Sequence, residues 1–409
     1  MEIIVIGAGP AGMMAAISAA KAGAHVTLLE KNKRQGRKLM ITGKGRCNIT
    51  NNCDTNKLIE NTAVNPRFLY SAFSKFSAQD TMDFFEKQGV PLKTERGGRV
   101  FPQSDKSVDI NDAMVRSCKN AGVRYVGECP VESLVIEDER VTGVIAGGRQ
   151  WKCDACIVAT GGCSYPLTGS TGDGYRLAEQ AGHTIIQPKP SLVPLETAEK
   201  DCARMQGLAL KNIAITVTNG KGKKVYSDFG ELLFTHFGLS GPVILSASSH
   251  MKCAEGQTVT IDLKPALTPE QLDARLLRDF SANLNRDLSN AMGGLLPSSM
   301  VPVFIERTGI PGDTKVNSVS REQRSKIVSL LKGYKLTVTA FRPVAEAIVT
   351  SGGVKVSEID PGTMASKKTG GLYFAGELID VDAHTGGFNL QIALSTGCCA
   401  GRSAAEAES

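Results

Sequence analysis

A chain of 409 residues is long for one hydrophobic core, so two or three domains are expected. The 42% hydrophobic and 22% charged fractions are those of an ordinary globular protein, and no apolar run reaches the roughly 18 residues of a membrane span. The net charge of +6 comes from Lys and Arg scattered without a basic block, and one Trp and seven Tyr leave little for base stacking; a nucleic-acid partner is therefore not expected, whereas an anionic small molecule is.

The first predicted element is a strand, Ile3 to Ile6, followed by Gly7-Ala-Gly-Pro-Ala-Gly12, an Ala-rich helix to Ala22, and a second strand, His25 to Leu29, ending at Glu30. Strand, G-x-G-x-x-G turn, helix, strand and acid in that order form a dinucleotide fingerprint. Gly7 permits the tight turn, Gly9 lets a pyrophosphate approach the backbone, and Gly12 lets helix pack on strand. The helix N-terminus faces the phosphates, and Glu30 can accept a hydrogen bond from a ribose hydroxyl.

A loop rich in Gly, Lys and Arg follows from Arg34 to Asn52, then helical patterning around Pro66 to Lys87 and from Asp109 to Ala121. Short strands are predicted at Val123 to Val126, Val131 to Ile136 and Val141 to Ala146, and a longer one at Trp151 to Ala159, ending in Thr160-Gly161-Gly162. Pro188, Pro190 and Pro194 mark a boundary. Beyond it Ile213 to Thr218, Lys224 to Ser227, Glu231 to Thr235 and Val259 to Asp262 alternate like antiparallel strands. Thr268 with Pro269, and Ser320 with Gln323, announce two helix starts. A strand pattern resumes at Tyr334 to Val338, and the chain closes with Gly371 to Gly376 and an apolar helix, Asn389 to Ala400. The economical reading is an α/β dinucleotide-binding domain, residues 1–190 and 335–409, split by a β-rich and helical insertion, residues 191–334.

The chain carries no second strand-glycine-helix fingerprint: Gly169-Ser-Thr-Gly-Asp-Gly174 lacks a preceding strand. A resident FAD is therefore expected rather than a tightly held nicotinamide. The segment Gly376-Glu377-Leu-Ile-Asp380, then Gly386-Gly387-Phe-Asn389 opening a helix, resembles the late element of glutathione-reductase-like flavoproteins that meets the pyrophosphate and the flavin N1–O2 edge. A helix N-terminus there stabilises developing negative charge by up to about 2 kcal/mol.

Five ordered blocks resemble the flavoprotein family called YhiN-like, BaiN-like or aminoacetone-oxidase-like: Arg37 to Asn48, Gly98-Arg-Val-Phe-Pro102, Ala159-Thr-Gly-Gly162, Phe234 to Pro242, and Gly371 to Gln391. The resemblance runs from Met1 to about Gly401. It implies a Rossmann-type FAD domain with an inserted β-barrel-like domain. By that similarity Gly7, Gly9, Gly12, Glu30, Lys31, Arg37, Lys38, Thr42, Asn48, Val131, Glu377, Asp380, Asn389 and Gln391 line the FAD. Ala11, Gly43, Arg46, Cys47, Ala159, Thr160, Gly161, Gly376, Gly387 and Leu390 complete the expected set, with Arg46 on a phosphate or a flavin carbonyl. Phe388 stands where Tyr is frequent in the family, and Ala383-His384 fill a turn that often has Gly.

Flavin chemistry needs an electrophilic partner and a proton donor beside it. The candidates are His236, in Thr235-His-Phe-Gly-Leu-Ser240; Ser240, which can equally cap a following helix; and Tyr165, just beyond the Thr-Gly-Gly turn. Arg342 is expected to pair with an acid, and Cys47 has no neighbouring redox partner. The resemblance implies an NAD(P)H-dependent reductase of carbon–carbon double bonds conjugated to a 3-oxo group, as in bile-acid intermediates. An oxidase of small amines such as aminoacetone, and a flavin-binding or RNA-associated protein without enzymatic activity, remain open. FAD is expected to be non-covalent, with NAD(P)H a transient donor and no metal. Eleven irregularly spaced cysteines and no signal-peptide-like segment before Ile3 point to a reducing cytoplasm. Cys153 and Cys156 are expected to pack rather than bind zinc.

Overall fold

The run Ile3-Ile-Val-Ile6 forms a strand, β1 (Glu2–Ile6), at the centre of a five-stranded parallel sheet in the computed structural model, which describes residues 1–282 and 284–407. Strand order is Leu372–Phe374, Ala155–Val158, β1, β2 (His25–Leu29), Arg124–Val126. Ile3 stands opposite Ala155 on one side and Val26 on the other. Helices cover such a sheet, so its central strands are continuously apolar rather than alternating. The crossover helix α1 (Pro10–Lys21) packs against the C-terminal helix Phe388–Glu406. Small residues permit this: a Cβ on Gly397 or Gly401 would stand 2.3 or 2.2 Å from the Ala11 or Ala15 carbonyl oxygen.

The chain divides into two compact units, the first formed by Met1–Ser191 and the chain from Pro343 onward, the second by Leu192–Arg342. The predicted strand Trp151 to Ala159 is two strands of the first unit. Arg149–Lys152 pairs antiparallel with Arg140–Ala146, and Ala155–Val158 enters the parallel sheet. The chain changes partners at Cys153-Asp154, where the Asp154 carboxylate accepts the Glu2 N–H at 2.7 Å. Periodicity does not report such a change of partner.

The second unit is built on a closed six-stranded antiparallel barrel: Leu195–Thr197, Gly238–Ser240, Lys224–Phe234, Ala209–Thr218, Gln257–Asp262, Tyr334–Phe341, and back to the first. Ile215, Val217, Val259, Ile261, Leu336 and Val338 fill it. The two strands predicted between Lys224 and Thr235 are one, Lys224–Phe234, paired along Ala209–Thr218 with bulges. Where the sequence reading ends the insertion at residue 334, the strand Tyr334–Phe341 belongs to the barrel and closes it on Leu195–Thr197. Helices Pro269–Ser281 and Arg321–Lys332 start at reciprocal capping boxes, Thr268 with Gln271 and Ser320 with Gln323. Among the described residues no helix is long and apolar enough to cross a membrane.

Candidate functional site

The glycine turn after β1 is shaped for a ligand at one point and for packing at two. A Cβ on Gly12 would stand 1.8 Å from the Gly7 carbonyl oxygen, and one on Gly7, at φ +98°, would stand 2.7 Å from that of Ala159. A Cβ on Gly9 would meet nothing within 4 Å. Gly9 is also the N-cap of α1, which has no side-chain cap and no acid in its first turn. Its free N–H groups and the positive end of its dipole suit a pyrophosphate.

Glu30 is 9% exposed. One carboxylate oxygen accepts the Ala8 N–H at 2.8 Å; the other accepts Asn32 N at 2.8 Å and Asn32 Nδ2 at 2.7 Å. The first oxygen keeps a lone pair for a ribose hydroxyl. Asn32 Oδ1 in turn accepts from Arg37 at 2.7 Å. Gly7, Glu30, Lys31, Val131 and Thr160 line one cleft. Cys129, Gly169, Asp173 and Leu177 complete its wall, and the sequence reading missed them. Gly169 to Gly174, set aside as a failed fingerprint, is a flank of the first one; Lys31 Nζ reaches Asp173 and Thr171 there.

The Arg37 to Asn48 block begins with a short helix, Arg37–Ile41, then bends through Gly43, Lys44, Gly45 and Cys47, all at positive φ. Lys38 Nζ is 2.6 Å from Glu377 and 2.5 Å from the Ser164 hydroxyl. The other Glu377 oxygen accepts from Thr350 N at 2.7 Å and Ser164 at 3.1 Å. This cluster ties the Lys38 loop, the Thr-Gly-Gly turn and the Gly376 turn together. Thr42 Oγ1 donates to the Leu39 carbonyl at 2.7 Å, which stiffens the same loop. Asn48 Oδ1 and Thr160 Oγ1 are buried without a partner, polar atoms that a bound dinucleotide can satisfy.

Four of the residues expected at the flavin are engaged within the protein. Arg46 pairs with Glu95 and Asp105 and lies 4.1 Å over the Phe101 ring, so its guanidinium is committed away from a phosphate. The Gln391 side chain is fully buried and makes four bonds, accepting from Thr50 and Thr81 at 2.6 and 2.8 Å and donating to the Phe76 carbonyl and Ser395 at 3.1 and 2.9 Å. Asn389 spends its amide on the backbone of Ala383 and His384. Ala11 is 5% exposed and lies beneath Gly376 and Gly397, supporting the turn from below. Gln391, Asn389 and Ala11 position the C-terminal helix. Its N-cap, Gly387, sits at φ +98° with no side-chain cap and no acid in the first turn, which makes a second open helix N-terminus.

Ala159 donates its N–H to the Ile6 carbonyl at 2.9 Å, which sets Thr160 and Gly161 at the end of β1's neighbour. Gly376 N donates to Thr396 at 2.9 Å, and Leu390 packs partly buried on the core. Burial pushes the Asp380 carboxyl up, against the Asn65 amide that donates to it. Cys47 is fully buried, which pushes its thiol up to about 12, far from a reactive thiolate. Cys153 and Cys156 are core thiols, and burial pushes Cys153 up to about 12.

Of the proton-donor candidates, Tyr165 belongs to the first unit, while His236 and Ser240 belong to the barrel unit. Tyr165 sits at φ +51°, a left-handed backbone that costs a non-glycine residue on the order of 1–3 kcal/mol, and its N–H donates to the Ala345 carbonyl at 3.3 Å. His236 is exposed in a tight turn held by Thr235 and Gly238, its ring edge-on to Phe237. Ser240 ends a strand and does not cap the next helix; Gly241 is that N-cap. Arg342 pairs with Glu196 at 2.9 Å, both in the barrel unit.

The open turn at Gly9, two uncapped helix N-termini, a spare acceptor on Glu30 and buried polar atoms without partners fit FAD. Comparison with known proteins agrees. The family described as "HI0933-like protein Rossmann domain" matches residues 1–403. The chain is 34% identical over 406 residues to a ribosomal RNA dihydrouridine synthase of Haemophilus influenzae, covering 97% of this chain and 96% of that one. A protein of the same name from Escherichia coli is 32% identical over 398 residues, with the same coverage. A 3-dehydro-bile acid delta(4,6)-reductase of Clostridium scindens is 29% identical over 412 residues, covering 99% of each.

Proposed function

The chain belongs to the HI0933-like family of FAD-binding Rossmann flavoproteins and is a flavin-dependent oxidoreductase, and we propose that it reduces a carbon–carbon double bond conjugated to a carbonyl, with a uridine of ribosomal RNA as substrate. The observation that carries this reading is the near full-length identity, 34% and 32%, with two proteins named for making dihydrouridine in ribosomal RNA. Uridine and a 3-oxo-4-ene steroid pose the same problem, an alkene polarised by an adjacent carbonyl. The reductase chemistry expected from sequence is therefore kept, while the exclusion of nucleic acid is not.

In the net reaction a hydride adds to the carbon β to the carbonyl and a proton to the α carbon, as NAD(P)H becomes NAD(P)⁺. Non-covalently bound FAD supplies the hydride-carrying chemistry. Gly9 and the first turn of α1 hold its pyrophosphate, and Glu30 its ribose. The Lys38–Glu377–Ser164 cluster fixes the loops around it, and Gly387 opens the helix that stabilises negative charge. Tyr165, held in a strained backbone, is the proposed proton donor; His236 and Ser240 are the alternatives. The localisation consistent with this substrate is the cytoplasm.

The test supplies purified protein with NADH or NADPH and an unmodified ribosomal RNA transcript, and measures dihydrouridine by mass spectrometry of the digested nucleosides. Formation of dihydrouridine supports the reading. Turnover of a 3-oxo-4-ene steroid with no change in the RNA replaces it with the bile-acid type of reaction, which the 29% identical reductase favours.

A further inference from the structure

The charge that looks scattered along the chain is unevenly divided by the fold. Residues 192–342 hold 19 Lys and Arg against 14 Asp and Glu, a net +5, whereas the first unit holds 28 against 27. Much of the barrel unit's charge is internally paired, as in Arg307–Asp201, Arg324–Asp273, Lys332–Asp262 and Arg342–Glu196. The lysines of one hairpin are not.

Strands Ala209–Thr218 and Lys224–Phe234 are joined by a turn locked by Asn219, whose Oδ1 accepts from both Lys221 N and Lys223 N at 3.0 Å. Lys221, Lys223 and Lys224 at its tip are exposed and make no ion pair among the described residues. From this tip the barrel register lays out two cross-strand rows. Lys224, Thr218, Thr258 and Thr337 stand opposite one another across four strands, and so do Ser227, Thr216, Thr260 and Lys335. All eight are exposed or half-buried, the outward set of an alternating barrel. The hydroxyls of Thr218, Thr258, Thr260 and Thr337 have no hydrogen-bond partner among the described residues. The carboxylates bordering this face are Glu199, which accepts the Thr337 N–H at 2.9 Å, Asp262, which is paired with Lys332, and the exposed Glu255.

A band of hydroxyl donors that runs from a lysine-bearing tip round the outside of the barrel suits a chain of phosphates. Lysines supply non-specific attraction by counterion release, and hydroxyls add hydrogen bonds to phosphate oxygens. We propose that this face of the barrel, with the Lys221–Lys224 tip, is the docking surface for the RNA phosphate backbone. It rests on the reading of ribosomal RNA as substrate and deepens it, since such contacts position the RNA while the base is read elsewhere.

The test compares wild-type holoenzyme with a K221A/K223A/K224A variant for binding to a ribosomal RNA transcript at several salt concentrations. Each lost phosphate contact lowers the slope of log K against log salt by about 0.7–0.9, so the variant's slope is expected to fall by about 2–3. Its affinity at low salt should drop on the order of tenfold or more. Flavin content and bleaching by NADPH should stay unchanged, and K221R/K223R/K224R should retain the wild-type slope. A wild-type enzyme that makes dihydrouridine, paired with a triple alanine variant of unchanged affinity and slope, overturns the surface and leaves the substrate reading standing. A wild-type enzyme that neither binds nor reduces the RNA overturns both.

Discussion

The two units of this protein use polar side chains in opposite ways. In the first, nearly every polar group of the cradle is tied to another: Glu30 to Ala8 and Asn32, Lys38 to Glu377 and Ser164, Gln391 to four partners. The few exceptions, Asn48 Oδ1, Thr160 Oγ1 and two open helix ends, are where a dinucleotide fits. On the barrel surface, the lysines of one hairpin make no ion pair among the described residues, and the net charge of the unit is positive. A cofactor that stays bound rewards a rigid, pre-satisfied shell. A large partner that comes and goes is better met by a surface whose donors are uncommitted.

The strongest test of that contrast sets Gly12→Ala against Gly9→Ala. A Cβ 1.8 Å from the Gly7 oxygen forces the turn apart, so Gly12→Ala should lose both flavin and folded yield. Gly9→Ala meets open space, so it should keep the fold and lose flavin affinity alone. Circular dichroism and the ratio of flavin to protein absorbance separate the two. Equal effects of both variants would show that Gly9 is structural.

Next in size is Gln391→Leu. It orphans the Thr50 and Thr81 hydroxyls, at about 1–3 kcal/mol for each group that stays buried and unpaired, while the Phe76 carbonyl keeps the Ser395 hydroxyl. Thermal unfolding should show a Tm lower by several degrees, and an unchanged Tm would return Gln391 to the ligand set. Glu30→Ala should weaken FAD binding about ten- to hundredfold, as for the loss of a hydrogen bond to a charged group, measured by fluorescence titration of apoprotein. The smallest effect is chemical. At pH 8 an alkylating reagent should label the exposed Cys253 and leave Cys47 untouched, because burial pushes the Cys47 thiol up to about 12. Rapid native labelling of Cys47 would reopen a redox role for it.

The features legible in the sequence are those written in neighbouring residues. The Gly7 to Gly12 turn with Glu30, the cap at Thr268 and the capping box at Ser320 are local, and the structure has them at the residues that announce them. What escaped depends on partners brought from afar. Nothing beside Arg46 reveals that Glu95 and Asp105 will hold it, and nothing near Trp151 reveals that its strand stops at Lys152 and re-forms in another sheet. The division of charge between the two units is equally unwritten in chain order. Thr218 and Thr258 are far apart in the chain and stand opposite one another on the outside of the barrel.

The central claim is that flavin held in the first unit passes reducing equivalents from a nicotinamide to a conjugated alkene. Anaerobic stopped-flow absorbance of the flavin tests it most directly. The account predicts bleaching by NADH or NADPH, then return of the oxidised spectrum when ribosomal RNA transcript is added, and a slower return in Tyr165→Phe. Bleaching by aminoacetone and return only on admission of air, with no response to RNA or to a 3-oxo-4-ene steroid, would contradict it.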